Sequence, residues 1–550
     1  MQIPLSDVVI NYMKIKVVVI NFFLKKQKII LLVFAVLFFI SLYFVIDFSS
    51  QSLVAHDEGL YARRARLIAS SDNWLSSPFP TPHHKTLGSY WFIALSIRLF
   101  GNNELALRLP SILASFLCLG TLYFIALEIA NKKSALICLC SLSAMPLWIQ
   151  YSRYASPDVP FVLCILLVIF FFLKSIKSSN CFNKYVYILF SGLFISTSFF
   201  IRSYMALVPL IGLSPFLFYQ LSKKDIIFKF TLFNGILIGS IPTLLNLYFS
   251  YQKYGIAGIT TLFDFAKKQA IGGFGINNFL LLPLNFVYLT FPIGLFILIL
   301  FVFSKINYKV YYPLLIYLYP FISLVILLCM STSYPHYYLF LLPSLSILFA
   351  INITSVSFRF SFSKNSIKYL LFLLTLSLGF IILFLILNYN DFVAEYSYKN
   401  NLVVYILSSF LLISYISAIR FLIDKGKHSF NLISFFYSLV IPQYISISLL
   451  FNFGILGSPN LRTKLFLRDA KVSSIIKSNT ICLFDLDSKI QTLLLYYLPS
   501  SKAVENFNDI TKYKYVITSN ITELDFPNKK FEFRSIKKFD NQFLLVKINK

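Results

Sequence analysis

His56-Asp57-Glu58, followed by Tyr61 and by Arg63, Arg64 and Arg66, packs acids and bases together in a chain that is otherwise strongly apolar. As a helix, Asp57, Tyr61 and Arg64 at i, i+4 and i+7 share one stripe. Leu60, Leu67 and Ile68 form an apolar side suited to the membrane interface. Two chemistries fit this pattern. Asp57 caps a helix while the arginines meet lipid phosphates, or it is a carboxylate at a reacting centre. Glu58 lies about 100° further round the helix and suits bracing an arginine. Next come a turn, Pro78-Phe79-Pro80-Thr81-Pro82, and then His83-His84-Lys85. Adjacent histidines point in different directions on most backbones, which makes a poor metal pair. Lys85, between this turn and Tyr90-Trp91, could hold a phosphate or simply snorkel to the interface.

Further charged groups recur downstream. Arg153 and Asp158 flank a short segment and suit either an ion pair or helix cap at a span end, or a place beside a membrane entrance. Arg202 and the pair Lys267/Lys268 add cations, and Tyr334-Pro335-His336 ends another short segment. His336 could meet a sugar or a phosphate; a tyrosine-rich interface belt is the alternative. Gly255, Gly258, Gly272, Gly273 and Gly275 read as a loop that either gates a cavity or only turns the chain. No GxGxxG or P-loop pattern supports nucleotide binding.

Something must hold these groups in place, and the composition says what. Hydrophobic residues are 58% of 550 and charged residues 13%, about half the usual ~25%, which excludes a disordered chain and argues against a soluble multidomain enzyme. The net charge of +27 falls in short clusters between apolar runs, a topology signal rather than a nucleic-acid face. The seven cysteines make no CxxC or Cys/His grid, so neither a disulfide framework nor a structural metal is expected.

Apolar runs begin near Ile29, Arg108, Ser134, Asp158, Tyr185, Ser203, Ile226, Phe279, Val310, Tyr338, Tyr369, Leu402 and Leu432, giving about thirteen helical spans of ~20 residues. Lysines and arginines cluster at every second connection: Lys132/Lys133, Lys174/Lys177/Lys184, Lys223/Lys224, Lys305/Lys309, Arg359/Lys364/Lys368 and Arg420/Lys425/Lys427. The positive-inside rule makes these cytoplasmic together with the N-terminus, and leaves the C-terminus outside. The expected organisation is a basic N-terminal segment over 1–28, a mainly α, polytopic membrane domain over 29–457 with an external loop over 47–107, and a small external α/β domain over 458–550. In that tail, polar breaks separate short helices and strands.

The order and spacing of His56-Asp57-Glu58, Tyr61, Ala65-Arg66, Lys85, Tyr90-Trp91, Phe100-Gly101 and Arg108-Leu109-Pro110-Ser111 resembles the bacterial membrane glycosyltransferases related to protein O-mannosyltransferases and the lipid A aminoarabinose transferase. The resemblance implies a C-shaped glycosyltransferase fold and an active site on the external face. It also implies a donor sugar carried on polyprenyl phosphate, undecaprenyl phosphate in a bacterium. Asp57 matches the family's catalytic aspartate and Lys85 the lysine beside the donor phosphate. Where many relatives have an acidic residue and then Lys-Pro-Pro, this chain has His84-Lys85-Thr86, and Arg202 stands near where many carry lysine.

In such a site Lys85, Arg202, Arg153, Lys267 and Lys268 are candidates to stabilise the departing phosphate. Glu58, Tyr61, His84, Asp158, Tyr334 and His336 are candidates to meet substrate. Asp57 would take the proton of an acceptor hydroxyl or amine as phosphate leaves on the opposite face, giving inversion. The expected partners are a polyprenyl-phosphate-linked sugar, a lipid, glycan or protein acceptor, and membrane lipids, with no nucleic acid. No cofactor is required, and a divalent ion is left open. The location expected is the bacterial inner membrane. A transporter or flippase of lipid-linked glycans is the competing reading, although the charges collect at span ends rather than near mid-membrane. A polymerase or ligase of such glycans is a third.

Overall fold

The computed structural model describes residues 52–54, 57–271, 290, 293–294, 312–331, 334–356, 440, 444, 461–519, 532–539 and 543–549. The expected runs near Ile29, Phe279, Tyr369, Leu402 and Leu432, the basic clusters beyond Lys224, and His56 lie outside the described residues, as does the side chain of Asp57.

The loop before the first described long span is itself helical. It holds α1 (Asp57–Ala69) and α2 (Gly88–Phe100). α1 is packed within the protein: Tyr61, Ala62, Ala65 and Ile68 are buried in a core with Leu87, Tyr90, Ile93 and Ala94. The small residues Ala62 and Ala65 let α2 approach closely, which is why the side expected to face lipid is shared out among neighbours.

The long helix α3 (Glu104–Ile129) follows, capped by Asn103, whose side chain accepts from the Ala106 amide. The run from Ser134, expected as one span, is broken into α4 (Lys132–Ala144) and α5 (Pro146–Tyr151). Pro146 has no amide hydrogen to donate and forces the preceding Met145 out of the helical region, to ψ 127°. Then come α6 (Asp158–Lys177), α7 (Cys181–Arg202), a 3-10 turn (Ser203–Ala206), α8 (Leu207–Leu221) and α9 (Ile226–Tyr254). α7 and α9 meet at glycines. A Cβ on Gly192 would stand 2.2 Å from the Leu232 carbonyl oxygen, and one on Gly235 would stand 2.1 Å from that of Leu189, the small-residue contact by which membrane helices pack backbone to backbone.

Gly255, at φ +63°, ends α9. Where the sequence suggests a glycine-bounded loop over 254–278, the chain forms α10 (Ala257–Ile271). Between its ends there is one glycine and no proline, and Ile259, Leu262 and Phe265 recur at helical spacing. Later helices are α11 (Tyr319–Cys329) and, after a 3-10 segment (Pro335–Leu341), α12 (Leu342–Val356).

Five helical runs among the described residues are long and apolar enough to cross a membrane: Glu104–Ile129, Asp158–Lys177, Cys181–Leu221, Ile226–Tyr254 and Pro335–Thr354. Large apolar side chains such as Phe116, Leu117, Phe124, Phe230, Phe233 and Leu244 are exposed along them, as lipid-facing surfaces require. Charge sorts their ends. Lys174 and Lys177 pair with Glu128, and Lys184 pairs with Asp225. Asn131, Asn180 and Asp225 cap the helices that start at this end. The segments at the opposite end, 151–157 and 202–206, carry no lysine.

The C-terminal residues form an α/β unit: α13 (Leu461–Arg468), α14 (Ala470–Ser478), β1 (Ile481–Leu483), α15 (Ser488–Tyr497), β2 (Lys502–Ala503), α16 (Phe507–Ile510), β3 (Tyr515–Thr518), β4 (Glu532–Phe539) and β5 (Phe543–Asn549). The sheet order is β2-β1-β3-β5-β4, with β1 parallel to β2 and β3 and with β5 antiparallel to β3 and β4. α15 packs on α1, and Leu493 and Tyr496 join the same core as Tyr61 and Tyr90.

Candidate active site

At the helix ends opposite Lys132/Lys133, Lys174/Lys177 and Lys223/Lys224 lies a cavity of about 740 Å³. Its walls come from distant parts of the chain: Leu60, Tyr61 and Arg64 of α1, His84 and Lys85, Tyr151, Ser156 and Asp158, Ile201 to Met205, Phe265 and Ala266 of α10, Tyr334 to Tyr337, and Lys489 of α15.

Lys85 is held from two sides. Its ammonium donates to the Tyr61 hydroxyl at 3.0 Å. Next to it, the Thr86 amide donates to Ser203 Oγ at 3.0 Å, and a Cβ on Gly88 would fall 2.5 Å from the Phe200 carbonyl oxygen. The His-His-Lys segment is thereby pinned on the end of α7, beside Arg202. Burial lowers the Lys85 pKa from its ordinary value, Tyr90 opposes this, Arg202 and Arg64 add to it, and Asp158 opposes.

Arg202 Nη2 meets Asp158 Oδ1 at 2.7 Å, and its guanidinium lies 5.7 Å from the centre of the Tyr337 ring. The sequence pairs Arg153 with Asp158 as flanking groups; in the fold Asp158 bonds Arg202 instead. Arg153 is buried, 2% exposed, and lies outside the cavity lining. Lys267 and Lys268 are exposed on α10, and neither lines the cavity, although Phe265 and Ala266 beside them do. Tyr334 and His336 stack at 5.7 Å, and the Tyr151 hydroxyl and His336 Nδ1 lie 3.2 Å apart.

His84 stacks on Phe265 at 4.3 Å, joining the first loop to α10. Burial, then Lys85 and Arg64, lowers its pKa to about 4. His83 lies behind. Its Nε2 is 2.7 Å from Arg64 Nη1 and 2.8 Å from the Tyr90 hydroxyl. Arginine only donates, so Nε2 accepts and the ring proton sits on Nδ1. His83 is therefore a neutral prop for Arg64, with its pKa well below the usual value through burial first and then Arg64.

Glu58 faces away from the cavity. Its two oxygens accept from Arg108 Nε at 2.8 Å and Nη2 at 2.7 Å, and also from the amides of Ala155 and Val54 at 2.8 and 2.9 Å. All four acceptor positions of the carboxylate are thus engaged inside the protein. The clamp ties the first turn of α1 to α3 and to the 151–157 segment, which fixes where helical position 57 stands. Position 57 lies one turn before Tyr61 and two before Arg64, both of which line the cavity.

Among the lining residues that the sequence does not single out as substrate-site candidates are Arg64, Phe265 and Lys489. Arg64 belongs to a recognisable stripe with Asp57 and Tyr61. Phe265 and Lys489 carry no local signal. Among the described residues no three His, Cys, Asp or Glu side chains converge as a metal site.

Residues 84–249 match the dolichyl-phosphate-mannose-protein mannosyltransferase family. The undecaprenyl phosphate-alpha-4-amino-4-deoxy-L-arabinose arabinosyl transferase of Shewanella sediminis is 27% identical over 205 residues, 37% of this chain and 37% of that protein. The corresponding transferase of Pseudomonas aeruginosa is 22% identical over 190 residues, 34% of this chain and 35% of its own. The matches thus span little more than a third of the length of these relatives. The fold likeness is broader. The crystal structure of ArnT from Cupriavidus metallidurans bound to undecaprenyl phosphate superposes with a TM-score of 0.70 at 15% identity, over 94% of this chain and 98% of that one. Its apo form gives 0.68. Residues 84–249 thus resemble the dolichyl-phosphate-mannose-protein mannosyltransferases and the chain resembles the arabinosyl transferases over about a third of its length, while the whole of this multi-pass membrane protein is similar in fold to ArnT.

Proposed function

We propose that this protein is a glycosyltransferase that moves one sugar from a polyprenyl phosphate, undecaprenyl phosphate in a bacterium, to a lipid acceptor at the outer face of the inner membrane. The observation that carries this reading is the cavity itself, where, among the described residues, Arg64, Lys85, Arg202 and Lys489 converge with one lining carboxylate, Asp158, at the ends of membrane helices. Names borne by the relatives support the donor class. Glycan and protein acceptors, and the choice between pentose and hexose, belong to the same reading.

The step balances as a single displacement. The acceptor hydroxyl or amine attacks the anomeric carbon and gives its proton to the Asp57 carboxylate. The bond from that carbon to the phosphate oxygen breaks, and its electron pair leaves on polyprenyl phosphate, which Lys85 and Arg202 stabilise. Attack opposite the leaving group inverts the anomeric centre. Asp158 orients Arg202, and His84, Tyr334 and His336 line the space for the sugar. The N-terminus is assigned to the cytoplasm, and the 458–550 unit to the outside.

Asp57→Asn should abolish transfer of sugar from undecaprenyl phosphate while membrane insertion and undecaprenyl phosphate binding stay as in wild type. Turnover within a few-fold of wild type would remove Asp57 from the mechanism. A transporter of lipid-linked glycans would instead keep its flux in this variant.

A further inference from the structure

The C-terminal α/β unit is joined to the first loop at several built contacts. Arg66 donates through Nη1 to the Tyr496 carbonyl at 2.5 Å and through Nη2 to that of Leu495 at 3.1 Å, using carbonyls at the end of α15 that the helix cannot pair itself. The Tyr497 hydroxyl accepts from the Leu53 amide at 3.1 Å and donates to Glu104 Oε1 at 3.2 Å. Lys464 meets the same Glu104 oxygen at 2.5 Å. Leu493 is fully buried and packs against Gly59. One turn before Leu493, where Asp487 caps α15 by accepting from the Lys489 amide at 3.1 Å, Lys489 reaches the cavity.

We infer that Lys489, delivered to the mouth of the cavity by α15, binds an anionic oxygen of a phosphate-bearing substrate, so that the C-terminal unit supplies part of the substrate site. Lys489 is the one lining residue from that unit among the described residues. Lys85 is half-buried while Lys489 is exposed, so the two mark the inner and outer ends of a cationic path. Among the described residues four cations and one carboxylate line the cavity, so positive charge is left over after the Arg202–Asp158 pair is formed, even with the Asp57 carboxylate of the proposed mechanism counted in the same site. A phosphate group compensates it, and the lysine at the rim is the one that a phosphate meets first. This inference rests on the transferase reading above. Two substrates could carry the phosphate, the donor lipid or a phosphorylated acceptor, and their separate titration tells them apart.

The test uses the full chain in lipid nanodiscs with two probes. One is undecaprenyl phosphate; the other is a bisphosphorylated glycolipid, lipid A, compared with its dephosphorylated form. Lys489→Glu should weaken one phosphorylated probe by roughly tenfold, Lys489→Ala by less, and Lys489→Arg should restore it, as expected of a charge-assisted contact. Loss for undecaprenyl phosphate assigns Lys489 to the donor, and loss for lipid A alone assigns it to the acceptor. Binding of both probes within twofold of wild type in all three variants overturns the inference. Lys85→Ala separates the two levels. If it weakens undecaprenyl phosphate while the Lys489 variants weaken neither probe, only the role of Lys489 falls. If neither changes binding, the donor reading falls with it. The thermal midpoint should stay that of wild type in each Lys489 variant, since the side chain is exposed.

Discussion

Asp57, Lys85 and His84 carry very different burdens at the residue scale. A proton acceptor and a phosphate anchor do chemistry at their own atoms, whereas His84 and His83 act by staying neutral among cations. Burial and the neighbouring Arg64 and Lys85 hold both imidazoles below their ordinary value, His84 at about 4. The sign of the consequence follows. Below pH 6.5 the unfolded chain takes up protons that the folded chain refuses, so this contribution to stability is complete above about pH 6.5 and is lost as pH falls toward 4. The thermal midpoint of the wild type should therefore fall over that interval, and His84→Gln should make the fall shallower. A midpoint profile identical in slope would mean that His84 titrates normally. Sequence alone exposes the two histidines as a weak metal pair; only their packing shows them as a prop and a stacking partner.

The clamp around Glu58 belongs to the scale of elements. One carboxylate joins α1, α3 and the backbone at Val54 and Ala155, with both charged partners almost fully buried, Arg108 at 3% and Glu58 at 0%. Removing one charge from such a pair strands the other, at a cost of roughly 3–5 kcal/mol. Glu58→Gln should accordingly lower the thermal midpoint and the yield of folded protein. Glu58→Asp, which keeps the charge on a shorter stem, should lose less. Equal midpoints for Glu58→Gln and wild type would show that the clamp does not hold α1 in place. The helical stripe places Glu58 away from Asp57 and toward an arginine, and that much is legible from a helical period. The identity of the arginine, 50 residues away, is not.

At the scale of the whole molecule, sidedness is the property that matters. The lining residues of segments 151–158, 201–205 and 334–337 sit at the helix ends opposite Lys132/Lys133, Lys174/Lys177, Lys184 and Lys223/Lys224. If the lysine clusters are cytoplasmic, the cavity is external. In a background with the exposed Cys181 and Cys329 replaced, a membrane-impermeant thiol reagent should label Lys267→Cys in intact cells and label Lys133→Cys only after permeabilisation. Labelling of both from the same side would break the topology.

The chain by itself determines that it is a helical membrane protein, because long apolar runs with few charges have no other stable place. The alternation of lysine clusters sets the register of its ends, and the stripe Asp57, Tyr61, Arg64 with Lys85 downstream marks one wall of the site. Tertiary structure decides the rest. Which arginine meets Asp158, and that Lys489 reaches a cavity otherwise walled by residues between 60 and 337, depend on contacts between segments remote in sequence. Local periodicity encodes the form of each element. Pairing between elements is set by which buried charges and close-packed backbones find one another, and no window of sequence contains both partners.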